Sequence, residues 1–239
     1  MTPILEVRSL EKSFGGLRAL NGADLSIPAG QIVGLLGPNA SGKTTLLKTV
    51  AGLLQPTAGG IRYPGDAAPG PDARKTVAFC PDAMMFPRWM RVRDAFTFYK
   101  DMYPDYSEAR AGKLIDTLGL EEFLNARILR LSKGMRERLI LGLTLSRETM
   151  LYLLDEPLDG IDPVGKTQII DAILTLKPED ASILISTHMV KDTERILDSV
   201  HFLSKGKVVF SGGCDDIREQ RGQTVEQAYL EVFIHEGSI

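Results

Sequence analysis

A loop suited to holding phosphate groups lies near the start of the chain, between two apolar segments. It matches the pattern G-x-x-x-x-G-K-[ST] and consists of Gly37, Pro38, Asn39, Ala40, Ser41, Gly42, Lys43 and Thr44, with Thr45 following. Glycines allow the backbone amides of such a loop to point inward at phosphate oxygens, and the positive end of the following helix adds to the attraction. In this pattern Lys43 is expected to bridge the β- and γ-phosphates, and Thr44 to ligate Mg²⁺.

Two further segments end in residues that can complete phosphate chemistry. The apolar run 151–154 leads into Asp155 and Glu156, and the run 182–186 leads through Thr187 into His188. Asp155 fits the Mg²⁺-associated acid of nucleotide hydrolases, and Glu156 fits a general base for an attacking water. Because ligands of open α/β sheets bind at the carboxyl ends of the strands, we expect His188 to emerge beside Asp155. An imidazole there can bond a γ-phosphate or orient the water.

These residues require a parallel sheet with helices around it. The segment 31–36 is apolar without alternation, which is typical of a strand buried on both faces, and the segment 44–54 has a helical period. Two strand-like segments, 4–10 and 23–27, precede them, a βαβ unit spans 151–186, and a hairpin and a last helix from Thr224 follow. We therefore predict an α/β P-loop fold with a mostly parallel core sheet, an N-terminal β subdomain and a helical subdomain.

The same pattern predicts one domain covering residues 1–239. Residues 1–80 and 147–239 are expected to form the β subdomain and the core, and residues 81–146 the helical subdomain. No composition shift marks a flexible linker.

Composition excludes several classes of protein. With 239 residues, 44% hydrophobic and 25% charged, the chain resembles globular proteins rather than disordered ones. Its formal net charge of −3 provides no basic field, so nucleic acid is not an expected partner. Cys80 and Cys214 lie far apart without metal-ligand spacing, and we interpret them as reduced thiols. Neither a signal peptide nor a membrane-spanning segment is predicted.

A fourth segment connects these motifs to a family. Leu131 is followed by Ser132, Lys133, Gly134 and Met135, and Ser132 is expected to cap the next helix. Together with the phosphate loop, Asp155-Glu156 and His188, this segment resembles the L-S-G-G-Q signature of the ATP-binding subunits of ATP-binding cassette (ABC) transporters. In that family the signature contacts ATP held by the opposite subunit, so the resemblance implies this role for residues 132–135.

The resemblance covers nearly the whole chain, and it implies that the N-terminal β subdomain is antiparallel and that further residues belong to the site. Phe14 matches the aromatic position that stacks on adenine, with a strand-end core residue as the alternative. Asp82 occupies the Q-loop position in place of the usual glutamine, which suggests a metal or water contact. Asp162 matches the aspartate of the D-loop. The cofactors implied are ATP and Mg²⁺.

The expected function is that of an ATP-hydrolysing transporter subunit. The resemblance implies a head-to-tail dimer with a second ATP-binding subunit, an integral membrane permease as partner, and a cytoplasmic location on the inner face of the cell membrane. The single short module and the variant signature resemble bacterial drug and antibiotic exporters. The alternative is a soluble ABC ATPase of an assembly machine, such as iron–sulfur cluster biogenesis. A non-catalytic regulatory module is disfavoured by the presence of Glu156 and His188.

One segment is a candidate for contact with the permease. Residues 82–93 follow the Q-loop position and contain Met84, Met85, Phe86 and Trp89 among arginines. An apolar patch with a polar edge is typical of an interface. The competing interpretation is that these side chains form the core of the helical subdomain.

Overall fold

A computed structural model describes residues 3–63, 65, 73–82, 86–87 and 89–235. The strands are β1 (Pro3–Phe14), β2 (Leu17–Pro28), β3 (Ile32–Leu36), β4 (Ala58–Arg62), β5 (Val77–Cys80), β6 (Leu151–Asp155), β7 (Ser182–Thr187), β8 (Ser199–Ser204) and β9 (Lys207–Gly213). The helices are α1 (Lys43–Val50), α2 (Ala73–Thr76), α3 (Val92–Met102), α4 (Glu108–Thr117), α5 (Lys133–Leu145), α6 (Pro163–Leu176), α7 (Val190–Thr193), α8 (Cys214–Arg221) and α9 (Val225–His235).

The strands form two sheets. Three antiparallel strands in the order β2-β1-β4 make the first sheet, and six strands in the order β5-β6-β7-β3-β8-β9 make the second. In the second sheet every pairing is parallel except that of β8 with β9. The P-loop α/β fold with an antiparallel N-terminal sheet is therefore confirmed.

The central strand β3 is buried on both faces because two hydrophobic clusters meet across it. Ile32 and Leu36 belong to a cluster with helices α3 to α6, whereas Val33 and Leu35 belong to a cluster with α1 and the antiparallel sheet. All five β3 residues are buried. This two-sided burial accounts for the lack of alternation in its sequence.

Helices α3, α4 and α5 fill the stretch 92–145 and share the first cluster with the parallel sheet. The domain boundaries at residues 80 and 146 stay a prediction, because the helices and the sheet share one continuous core. Among the described residues, no helix is long and apolar enough to cross a membrane. Both cysteines are buried, free thiols, as expected.

Two elements differ from the sequence prediction. Helix α1 ends at Val50 rather than near residue 54, because Gly52 adopts a φ of 70° that a helix does not allow. Helix α8 was not predicted, since only Cys214 and Ile217 in it are apolar and buried. The capping box predicted for the last helix is present, with Thr224 and Gln227 exchanging hydrogen bonds of 2.9 and 3.1 Å.

Candidate active site

Four strands of the parallel sheet end at one edge and deliver the candidate residues there. Strand β3 leads into Gly37, β5 into Asp82, β6 into Glu156 and β7 into His188. In the register of the sheet, Asp155 lies opposite Ser186. The candidate residues therefore lie at the carboxyl edge of the sheet, as the sequence predicts.

The phosphate loop is built around two glycines that no other residue can replace. A Cβ on Gly37 would lie 2.4 Å from the carbonyl oxygen of Leu203, and one on Gly42 would lie 2.6 Å from that of Ala19. Gly42 precedes helix α1 with a φ of 110°, which favours glycine. The loop thus turns sharply and presents the first amides of α1, which have no partner within the helix.

The turn that joins β8 and β9 contacts the phosphate loop. Gly206 donates its amide to the carbonyl of Ser41 at 2.9 Å and accepts the amide of Asn21 at 2.9 Å. A Cβ on Gly206 would meet three backbone atoms of residues 19–21 within 2.9 Å. Sequence reasoning missed this contact, because Gly206 lies 165 positions after Ser41 (206 − 41) in the chain.

Lys43 is buried inside the loop and held by three acceptors. Its ammonium nitrogen lies 2.8 Å from the carbonyl oxygen of Gly37, 3.2 Å from that of Pro38 and 3.3 Å from Oε1 of Glu156. Only 6% of its side chain is exposed. The cation is thereby fixed at the mouth of the loop next to the candidate base.

Glu156 is clamped between Lys43 and His188. Its Oε2 accepts the backbone amide of His188 at 3.3 Å and lies 3.0 Å from Nδ1 of the same residue. The backbone of Glu156 has a φ of 49°, uncommon for a residue with a side chain, and its amide donates to both oxygens of Ser186 at 3.1 and 3.2 Å. The left-handed backbone of Glu156 ends the strand conformation directly after Asp155, the last residue of β6.

Asp155 is almost completely buried and faces Thr44. Its Oδ1 accepts hydrogen bonds from Thr44 Oγ1 at 3.1 Å and Ser186 Oγ at 2.6 Å. Burial raises the pKa of the Asp155 carboxyl, while these two hydrogen bonds lower it. Its Oδ2 is buried and has no hydrogen-bond partner in the described part of the chain. Ser186 was missed by the sequence analysis, because its contact with Asp155 depends on the register in which β6 and β7 pair.

Two clefts meet at Glu156. One has a volume of about 470 Å³ and is lined by Phe14, Leu17, Arg18 and residues 39–45 of the phosphate loop and α1, with Asp82 and Glu156. The other, of about 360 Å³, is lined by Asn39, Asp82, Lys133, Glu137, Glu156, Asp159 and His188. Phe14 is 47% exposed at the first cleft, which argues against a core role. Asp82 is exposed and lines both clefts.

The signature segment contacts the loop after Glu156 within the same chain. Lys133 Nζ lies 3.0 Å from Oδ2 of Asp159, and this hydrogen bond raises the pKa of Lys133. Both side chains are about half exposed, so the ion pair adds at most about 1 kcal/mol to stability. Burial raises the pKa of the nearby Glu137 to about 7, with Asp82 acting in the same direction.

The other signature residues have structural contacts of their own. Ser132 caps helix α5, as expected, by accepting the amide of Met135 at 3.2 Å. The Met135 side chain packs against the core, and Gly134 lies next to Asp162. Asp162 caps α6 by accepting the amides of Val164 and Gly165, and the bond from Gly165 contributes most to lowering its pKa.

Comparison with known proteins places this site in a family. Residues 20–159 match the family model described as ABC transporter. The chain is 31% identical over 225 residues to the ABC transporter ATP-binding protein YxlF of Bacillus subtilis, covering 93% of this chain and 75% of that protein. It is 30% identical to the lantibiotic transport ATP-binding protein SrtF of Streptococcus pyogenes, covering 86% and 89%. It is also 32% identical to the Nod factor export ATP-binding protein I of Cupriavidus pinatubonensis, covering 96% and 72%.

Solved structures agree with this assignment. The structure of an ATP-binding subunit of an ABC transporter superposes with a TM-score of 0.85 at 29% identity, covering 96% of this chain and 99% of that one. A nucleotide-free ATP-binding cassette shares the fold, with a TM-score of 0.78 at 23% identity and coverage of 93% and 96%. The chain therefore belongs to the ABC transporter family, as an ATP-binding subunit that hydrolyses ATP.

Proposed function

We propose that this subunit hydrolyses Mg-ATP at the edge formed by Lys43, Asp155, Glu156 and His188, and that it drives export through a separate membrane permease. The observation that supports the site best is the clamped Glu156 carboxylate, which lies between the Lys43 ammonium and the His188 ring. A carboxylate held in this way can accept a proton from an attacking water while Lys43 binds the phosphates. His188 then acts by orienting Glu156.

The residues near Asp155 fit a magnesium ion. Thr44 Oγ1 and the buried, unpartnered Oδ2 of Asp155 are hard oxygen atoms of the kind that Mg²⁺ prefers. When bound, the ion would neutralise charge on the phosphates. Thr44 and Asp155 would hold it, with Asp82 as a further candidate from the neighbouring strand end.

Export is supported by the relatives rather than by the site. The Nod factor protein is named for export and the SrtF protein for lantibiotic transport, and neither name favours an iron–sulfur assembly machine. If the permease partner is present, the subunit resides on the inner face of the cell membrane. Transport into inside-out vesicles that contain both subunits would support export, whereas ATP-driven release from such vesicles would show import.

A second ATP-binding subunit is part of the proposal. Ser132 is exposed at the start of α5, and in the family resemblance the signature reaches ATP across a dimer interface. We expect Glu156→Gln to run as a dimer with ATP, because bound ATP then persists, and Ser132→Arg in that background to stay monomeric. Light scattering with and without ATP measures the oligomeric state of both variants.

The control for this experiment is Ser132→Ala. It removes the same helix cap, which is worth about 0.5–2 kcal/mol, without adding bulk. We expect the alanine variant to dimerise more than the arginine variant. Equal dimerisation of the arginine variant and the parent would exclude residue 132 from the interface.

The permease dock is proposed at an apolar groove between the sheet and the helices. The groove has a volume of about 310 Å³, and its apolar lining includes Leu53, Phe79, Tyr99 and Met102. Phe86 packs against Tyr99 at a ring distance of 5.9 Å, so the sequence-predicted segment reaches this groove. Met84 and Met85 lie outside the described residues. Trp89 is 70% exposed, which argues against a core role for that side chain.

Charged substitutions in this region should uncouple the subunit from its permease. We expect Met102→Glu or Trp89→Glu to keep the basal ATPase rate, because both side chains are largely exposed, and to weaken binding of the permease about tenfold or more. Co-purification and permease-stimulated ATPase measure the effect. Leu174→Glu on α6, at a similarly exposed apolar residue, is the control. Wild-type coupling in both test variants would place the dock elsewhere.

A further inference from the structure

Lys12 lies over the Phe14 ring at the end of strand β1. Its ammonium nitrogen is 5.0 Å from the ring centroid and donates to the carbonyl oxygen of Gln55 at 2.7 Å. Lys12 is half-buried, and these two contacts define the position of its ammonium group. A cation over the face of an aromatic ring is attracted by its negative face.

Such support matters for the Phe14 ring because the ring is largely exposed. It is 47% exposed at the last residue of β1, and it borders the cleft with Leu17 and Arg18. An aromatic side chain in this position samples several rotamers unless a neighbour selects one. With the Lys12 ammonium on one face, the ring is held and a single face is left for a planar ligand.

The same strand end is tied to the segment that follows helix α1. The amide of Ser13 donates to Thr57 Oγ1 at 3.0 Å, and the amide of Thr57 donates to the carbonyl of Glu11 at 2.7 Å. Since α1 begins at Lys43, these bonds and the one from Lys12 connect the Phe14 end of the cleft with its phosphate end. The strand end that carries Phe14 is thereby anchored to the segment that follows α1.

We propose that Lys12 is a positioning residue for nucleotide binding, which fixes the Phe14 ring in the orientation that stacks on the base. The proposal rests on the proposed contact between Phe14 and adenine. Lys12 itself does not touch the nucleotide in this arrangement; it acts through the ring. Substitution of Lys12 should therefore weaken the binding of ligands that carry a base and leave the binding of ligands that consist of phosphate alone unchanged.

The test compares ATP with inorganic tripolyphosphate by isothermal titration calorimetry. We expect Lys12→Met to weaken ATP binding about twofold to fivefold, which corresponds to one cation–π contact, and to leave tripolyphosphate binding unchanged. The KM for ATP should rise while kcat stays constant. Lys12→Arg, which keeps the cation and the donor, should bind ATP like the wild type. Lys113→Met, at an exposed lysine of α4, controls for the loss of one positive charge.

A double-variant comparison separates positioning from a structural role. In a Phe14→Ala background, Lys12→Met should cause no further loss of ATP affinity, because there is no ring to orient. An equal loss of ATP and tripolyphosphate binding in Lys12→Met, or an undiminished effect in the Phe14→Ala background, would overturn the proposal. Phe14→Ala alone should weaken ATP about tenfold. If Phe14→Ala does not change ATP affinity, the proposed contact between Phe14 and adenine is wrong. This result differs from a failure of the Lys12 proposal alone.

Discussion

Replacement of Glu156 by glutamine should lower ATP turnover by about 10²- to 10⁴-fold, the usual contribution of a general base. Glutamine keeps the shape of the side chain, so the fold of the edge should persist, but its single carbonyl oxygen can accept from either Lys43 or the His188 amide and not from both. ATP should bind at least as tightly as in the wild type. The carboxylate lies 3.3 Å from Lys43, and its removal frees that cation for the phosphates and takes one negative charge from the cleft.

Single-turnover hydrolysis and equilibrium ATP binding measure the two parts of this expectation separately. Glu148→Gln is the matched control, because Glu148 precedes β6 at the amino end of the strand and Glu156 follows it at the carboxyl end. Turnover near the wild-type rate in Glu156→Gln would remove Glu156 from the chemistry. Slow turnover with weakened ATP binding would assign it a binding role.

Much of the sheet could be predicted because its signals are local. The runs that form β3, β6 and β7 are apolar without alternation, and their positions follow from their short length and from the glycine, proline or charged residues near their ends. The rule that ligands bind at the carboxyl ends of parallel strands then brings Lys43, Glu156 and His188 to one edge. The structure places the Glu156 carboxylate within ion-pair distance of Lys43 and within hydrogen-bond distance of His188.

The contacts that set the geometry of the edge could not be predicted in the same way. Ser186 donates a hydrogen bond to Asp155 because β6 and β7 pair in one particular register. Gly206 donates a hydrogen bond to Ser41 because the turn between β8 and β9 packs against the phosphate loop. The contact between Lys133 and Asp159 joins two segments 26 positions apart. Such contacts depend on how elements pack, and a single sequence contains no periodic signal for them. The left-handed backbone of Glu156 is a further example, since glutamate has no preference for that conformation.

The second large effect is expected from Lys43→Ala, which should weaken ATP binding by about 10- to 150-fold. Hydrogen bonds to charged groups contribute about 1.5–3 kcal/mol, and each 1.4 kcal/mol is tenfold in affinity. Lys43 is also the nearby cation that compensates Glu156, whose side chain is only 16% exposed. Without Lys43, this carboxylate would repel the phosphates from inside the cleft. The loss of ATP affinity should therefore lie toward the upper end of this range.

The double variant Lys43→Ala, Glu156→Gln tests this electrostatic argument. It should bind ATP more tightly than Lys43→Ala, because the uncompensated carboxylate has been removed. Equilibrium binding of ATP to the four proteins of the cycle gives the coupling between the two residues. Lys48→Ala, at a lysine in the last turn of the same helix, should leave ATP affinity unchanged and controls for the loss of charge. Unchanged affinity in Lys43→Ala would contradict the assignment of the phosphate loop. If the changes in ATP affinity of the two single variants add up to that of the double variant, Lys43 binds the phosphates but does not compensate the charge of Glu156.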